Sequence, residues 1–222
     1  ATLTREDPRD ALLSRSGARL AELPPGARVG TSSLRRRAFL SRARPDLTLR
    51  ELRGNVPTRI ERLKRGDYEA IILAAAGLRR LALQEHISEL LLSDDFPPAV
   101  SQGVIGVCCR RGDAETLKWL RPLDDHAARL ATTAERALLR RVEGGCQVPL
   151  GALGTSIGGT LHLYAGVCAL DGSGWMTARG ESDSTPEQAV VLGQRLADEL
   201  LAQGAGRLIA HERDVCRPVE EP

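Results

Sequence analysis

The chain has 222 residues and a formal net charge of +2, with enough apolar content for one large or two modest globular domains. No apolar run is long enough to span a bilayer. Five cysteines (Cys108, Cys109, Cys146, Cys168 and Cys216), odd in number and without a C-x-x-C pair, argue against a disulfide framework or a zinc site and for a reducing cytoplasm.

Residues 27–30 read as a short strand that ends in Thr31-Ser32-Ser33, an N-cap cluster for a helix over 34–42. Pro45 and Asp46 stop that helix. Leu47, Leu49 and Leu52 mark a second strand closed by Gly54-Asn55, and Pro57 suits the first turn of a helix to about residue 65. Gly66-Asp67 turns the chain into 70–74, a continuous apolar run of the kind found in strands buried on both faces. Short helices are predicted over 78–83 and 86–92. After the Pro97-Pro98 loop, a further apolar strand over 104–109 places the Cys108-Cys109 pair in the core, or one of the two facing out.

Asp124 is read as the cap of a long helix to about residue 142. A strand over 161–170, a turn at 171–174 and a return strand over 175–181 follow. Pro186 opens a last amphipathic helix to residue 201, ended by Gly204 and Gly206, and 207–211 reads as a final short strand. The alternation predicts an α/β unit with a parallel or mixed sheet covered by helices, a boundary near 103–125, and a smaller α+β unit after it.

Two features carry chemistry. In Glu143-Gly144-Gly145-Cys146-Gln147-Val148-Pro149, the glycines free the backbone and Pro149 stiffens the exit, holding one thiol on a loop after a long helix. The alternative is a plain helix stop with Cys146 as a small hydrophobe. The second feature is charge: residues 28–65 carry twelve Lys/Arg against three Asp/Glu. Arg35, Arg36 and Arg37 stand in a first helical turn, where cations oppose the helix dipole. That placement makes sense around a bound anion, or else as a solvated basic face, the reading adopted for Arg37. Arg53 beside Gly54-Asn55, Arg59 on the next helix and the turn from Gly77 to Arg80 also follow strand ends, where ligands of open α/β sheets gather. They line one cleft, or are separate surface ion pairs of little energetic consequence.

Nucleic acid is a poor partner for this arginine. Aromatics make up 3% of the chain and Phe39 alone lies within 28–65, so stacking platforms are lacking. Small polycarboxylates or phosphates fit better. His86, His126, His162 and His211 show no ligand spacing, so no metal is expected.

Taken together, Val29-Gly30-Thr31-Ser32-Ser33-Leu34-Arg35-Arg36, Leu52-Arg53-Gly54-Asn55-Val56 with Thr58-Arg59, the 70–73 strand with Gly77-Leu78, and the 143–149 loop resemble the porphobilinogen deaminase (hydroxymethylbilane synthase) family. The resemblance runs from Arg5-Glu6-Asp7-Pro8-Arg9-Asp10 to near the C-terminus. It implies a periplasmic-binding-protein-like α/β domain with a mixed sheet (1–103), a connecting segment (104–125) and a C-terminal α+β domain with a three-stranded antiparallel sheet and helices (126–222). It also implies a cytoplasmic, monomeric transferase that polymerises four porphobilinogen units, with deamination, into a linear tetrapyrrole. The growing chain is built on a dipyrromethane cofactor joined by a thioether to Cys146.

By motif, Thr31, Ser33, Arg35, Arg36, Arg59, Gly77 and Gln102 look like cofactor ligands, and Arg53, Arg59 and Arg80 like binders of the substrate's acetate and propionate groups. In this family a further segment, bearing an acidic residue that stabilises cationic pyrroles, precedes the Asp-Pro-Arg-Asp region. The expectation is a fragment with little turnover alone, to be completed by a separate chain. A carboxylate-binding or regulatory module that keeps the arginine cleft is the alternative.

Overall fold

The computed structural model describes residues 1–142 and 149–209. Its first sheet contains β1 (Asp10–Ser14), β2 (Arg28–Gly30), β3 (Thr48–Arg50), β4 (Ala70–Ala74) and β5 (Glu89–Leu90) in the order β3-β2-β4-β1-β5. β2 runs parallel to β3 and β4, whereas β1 runs antiparallel to β4 and β5. The sheet is therefore mixed. Helices α1 (Leu34–Ala43), α2 (Val56–Lys64) and α3 (Ala75–Arg80) follow β2, β3 and β4 in turn.

Pleating sorts the core. Leu12 and Ile72 enter one apolar cluster with Val29, Phe39 and Leu40, while their neighbours Leu13 and Ile71 enter another with Leu52, Ile60 and Leu78. A strand feeding both faces must be apolar throughout, as β4 is. Local chemistry starts the helices as predicted: Ser33 Oγ accepts from the Arg36 N–H to cap α1, and Asn55 Oδ1 accepts from the Thr58 N–H to cap α2.

The second sheet is antiparallel and three-stranded, with β6 (Leu150–Ile157), β7 (Thr160–Val167) and β8 (Met176–Asp183) in chain order. Helices α5 (His126–Arg141) and α6 (Pro186–Gln203) pack against it around Leu130, Leu138, Leu161, Leu192 and Leu196. In chain order α4 (Ala114–Leu120) comes between the strands of the two sheets, and its Trp119 is 71% exposed. Trp175 and buried Cys168 pack onto the α1 side of the first sheet, with the Trp175 and Phe39 rings edge to face at 5.3 Å.

Several expectations are corrected. The predicted helix over 86–92 does not form. A 3-10 turn (Gln84–His86) leads into β5, because the free edge of β1 offers backbone partners that outweigh local propensity. Helix α3 starts earlier than predicted, directly at the end of β4. The apolar stretch 104–109 finds only a single bridge, Gly106 to Thr2, so Cys108 is exposed and Cys109 half-buried rather than core. Asp125, not Asp124, caps α5. Asp124 instead accepts from the Thr2 N–H and pairs with Arg129. Residues 207–209 are helical, not a strand, and 210–211 lie outside the described residues.

Close approach of α5 and α6 depends on Gly193. A Cβ there would overlap the Ala134 carbonyl oxygen and stand 2.8 Å from Ala137 Cβ. Gly193→Val is expected to cost about 1–3 kcal/mol by overpacking. Urea unfolding reads this as a lower midpoint with an unchanged slope.

Candidate functional site

The three parallel strands deliver their C-terminal ends to one edge of the first sheet. Because β1 is antiparallel to β4, with Asp10 opposite Ala74, the first residue of β1 lies at that same edge. Ligands of open α/β sheets bind outside this edge. Asp10 is fully buried there.

Around it the guanidiniums of Arg35 and Arg36 converge. Arg35 Nη1 donates to Asp10 Oδ2 at 2.8 Å and to the Pro97 carbonyl at 2.8 Å. Arg36 Nε donates to Asp10 Oδ1 at 3.0 Å, and Nη1 to the Ile72 carbonyl at 3.2 Å. Gln102 Nε2 donates to Asp10 Oδ1 at 3.0 Å and to the Pro8 carbonyl at 2.6 Å, while its Oε1 accepts from Arg36 Nη2 at 3.5 Å. The two arginines thus already hold an anion, and it is the protein's own carboxylate. This corrects the picture of a helix terminus waiting for an external charge.

Electrostatics nevertheless leaves the cluster positive. Burial alone would raise the pKa of Asp10, but the charges of Arg35 and Arg36 and their hydrogen bonds hold it down at about 2. Burial lowers the pKa of Arg35. It also lowers that of Arg59, and the Arg36 charge adds to the effect, so these two guanidiniums share one field. Among the described residues Arg59 hydrogen-bonds through Nε, to the Gly54 carbonyl at 2.8 Å. Two guanidiniums therefore share one carboxylate, and a third, Arg59, stands within the field of Arg36. In addition, Arg35 Nε is buried without a hydrogen-bond partner among the described residues. Buried donors of this kind are normally satisfied.

The other predicted site residues are placed as follows. Thr31 is buried, and its Oγ1 accepts from the Ser33 N–H at 3.2 Å, while Ser33 Oγ caps α1. Arg53 has its side chain 82% exposed and paired with Glu51. Arg80 is exposed and lines a separate cavity of about 420 Å³ with Gly77, Glu6 and Gly103. Its neighbour Arg79 is engaged by Glu6 and Asp7. Gly77 lies across from Val56, where a Cβ would make ordinary contact. Cys146 and its loop lie outside the described residues, directly after α5 and Val142. Among the described residues no group of three or more His, Cys, Asp or Glu is set to hold a metal, and no helix is long and apolar enough to cross a membrane.

Asp10 was the residue that sequence reasoning passed over. Its signal was indirect: two adjacent arginines both pointing inward require a counter-charge, and an acid heads the apolar run that becomes β1.

Comparison with known proteins decides the family. The model for "Porphobilinogen deaminase, dipyromethane cofactor binding domain" matches residues 1–118, and that for "Porphobilinogen deaminase, C-terminal domain" matches 129–202. The chain belongs to the porphobilinogen deaminase family. It is 55% identical over 206 residues to porphobilinogen deaminase of Roseiflexus castenholzii, covering 93% of this chain and 67% of that protein. The same protein from Roseiflexus sp. (strain RS-1) is 56% identical over the same coverage. Members of this family are transferases of tetrapyrrole synthesis with a dipyrromethane cofactor, and the arginine cluster lies within the matched cofactor-binding region. A porphobilinogen deaminase needs to hold pyrroles that carry carboxylates. The unpaired Arg35 Nε and the excess of guanidinium over carboxylate fit such a group.

Proposed function

We propose that this chain carries the cofactor and substrate sites with which four porphobilinogen units are deaminated and joined into the linear tetrapyrrole hydroxymethylbilane. Cys146 is the tether: a thiolate is a good nucleophile toward an electrophilic pyrrole carbon and forms a thioether. Once bound, the dipyrromethane supplies the free pyrrole end to which units are added. Arg35, Arg36 and Arg59 bind its acetate and propionate carboxylates, helped by Thr31, Ser33 and Gln102 and by close approach at Gly77. Arg53, Arg59 and Arg80 receive the acidic side chains of incoming porphobilinogen.

In this reading residues 1–103 form a periplasmic-binding-protein-like domain and 126–222 a second domain that carries the tether. Residues 104–125 connect them, and Leu117, Trp119 and Leu123, all exposed, pack on a further domain that a separate chain can supply. The observation that carries the proposal is the pair of buried guanidiniums, Arg35 and Arg36, on a single buried carboxylate at the carboxyl edge of the sheet, with Arg59 in the field of Arg36.

Intact-mass spectrometry of the full chain, incubated with porphobilinogen, each unit of which leaves its amino group as ammonia when it is joined, tests it. The expected result is an added mass of two pyrrole units that is absent from Cys146→Ser. An adduct that persists in Cys146→Ser removes the tether from the proposal. An unmodified chain that still binds porphobilinogen indicates a carboxylate-binding module.

A further inference from the structure

We infer that Asp10 is a positioning residue, whose buried carboxylate sets the directions of the Arg35 and Arg36 guanidiniums before any cofactor carboxylate arrives. This rests on the reading of those arginines as cofactor binders. Each Asp10 oxygen serves a different arginine, Oδ2 taking Arg35 Nη1 and Oδ1 taking Arg36 Nε. The carboxylate is itself held. Gln102 Nε2 donates to Oδ1, and Asp10 opens a strand whose register against Ala74 is part of a five-residue antiparallel ladder.

Arginine side chains have many rotamers, and ordering them at the moment of binding subtracts from affinity. A preset fork presents its remaining N–H groups at no such loss. Stability alone is a weak reason for this arrangement, because buried ion pairs recover little more than their desolvation. One carboxylate against two arginines also leaves the site cationic, which a simple structural pair would not do. A second acid at this position would quench the charge that an acidic pyrrole must find.

The test uses the full chain and three variants: Asp10→Asn, which keeps shape and loses charge, Asp10→Glu, which keeps charge and moves the carboxylate by one methylene, and Arg36→Lys to assign signals. Two readouts are followed, the arginine Nε–Hε resonances by NMR and the rate of two-pyrrole adduct formation on Cys146 by intact mass. In the parent chain the Arg36 Nε–Hε proton is expected to exchange slowly with water. In Asp10→Asn it exchanges at least tenfold faster, and adduct formation slows at least tenfold. Asp10→Glu is expected to recover most of the melting temperature but not the loading rate, a split that a purely structural role would not produce. A folded Asp10→Asn or Asp10→Glu that loads at the parent rate overturns the inference, and failure of both to fold assigns Asp10 a structural role and does the same. If the parent takes up no adduct, the tether reading fails instead. The exchange measurement then decides on its own, with unchanged Arg36 exchange in Asp10→Asn counting against positioning.

Discussion

Glu135→Ala is expected to lose about 3–5 kcal/mol of unfolding free energy, a large part of what a domain of this size has in total. Glu135 is fully buried on α5 and gathers three segments. Its Oε1 accepts from the Gly154 N–H of β6 at 2.8 Å and from Arg5 Nη1, and its Oε2 accepts from the Ser101 N–H at 2.6 Å. Ser101 is a non-glycine residue at φ 65°, a left-handed conformation that this hydrogen bond helps to hold. Alanine leaves two backbone donors without their acceptor and takes the carboxylate from the Arg5 guanidinium. Glu135→Gln keeps the shape and one acceptor, and is expected to cost about 1–3 kcal/mol.

The pH dependence gives a second readout of the same residue. Burial raises the pKa of Glu135, and the Arg5 charge only partly offsets it. A folded-state pKa above the unfolded one means that the folded chain binds the proton more tightly. The contribution is therefore present below the ordinary glutamate value of 4.5 and is lost as pH rises through the raised value. Urea unfolding at pH 4 and pH 7 should show the parent's advantage over Glu135→Gln to be larger at pH 4. Equal advantages at both pH values would contradict the assignment. The network also reaches the arginine site, since Arg5 Nε donates to the Gln102 carbonyl at 3.0 Å and the Gln102 side chain contacts Asp10. Loosening α5 thus disturbs both the helix that leads to Cys146 and the loop that braces the arginines.

What could be read from the sequence was what is decided locally. Ser33 and Asn55 cap their helices through side chains three residues from the groups they satisfy, and Pro57 presets the first turn of α2. β4 announced itself because a strand with both faces covered cannot hide its composition. β1 gave no such signal, being a short run between charged flanks that becomes a strand because β4 and β5 bracket it. The 86–92 stretch fits a helix by local pattern and yields to pairing with β1. For 104–109 the error ran the other way, as an apolar run found only one bridge. The site divides in the same manner. Arg35, Arg36 and Gln102 are marked by motif, and the structure brings them together. Their shared partner Asp10 lies 25 and 26 residues away from the arginines and reaches them only through sheet register.

Asp10→Asn is expected to lose about 3–5 kcal/mol at pH 7, because two inward-facing guanidiniums keep their charge while their carboxylate is gone. Part of that loss has a characteristic pH dependence. The folded-state pKa of Asp10 lies at about 2 against an ordinary 3.8. For a depressed carboxylate the stabilisation is fully present above the unfolded value and disappears as pH falls through the folded one. At 1.36 kcal/mol per pH unit, that interval is worth about 2 kcal/mol in the parent chain. Asparagine cannot titrate, so the gap between parent and variant should shrink by about this amount between pH 4 and pH 2. Glu69 and Asp124 are likewise held at about 2, by Arg28 and Arg129, but they are present in both proteins and drop out of the difference. Urea unfolding of the two chains across this range measures the gap directly. Acid limbs that run parallel would mean that Asp10 carries its proton alike in folded and unfolded chains, and that the Arg35 and Arg36 charges do not act on it.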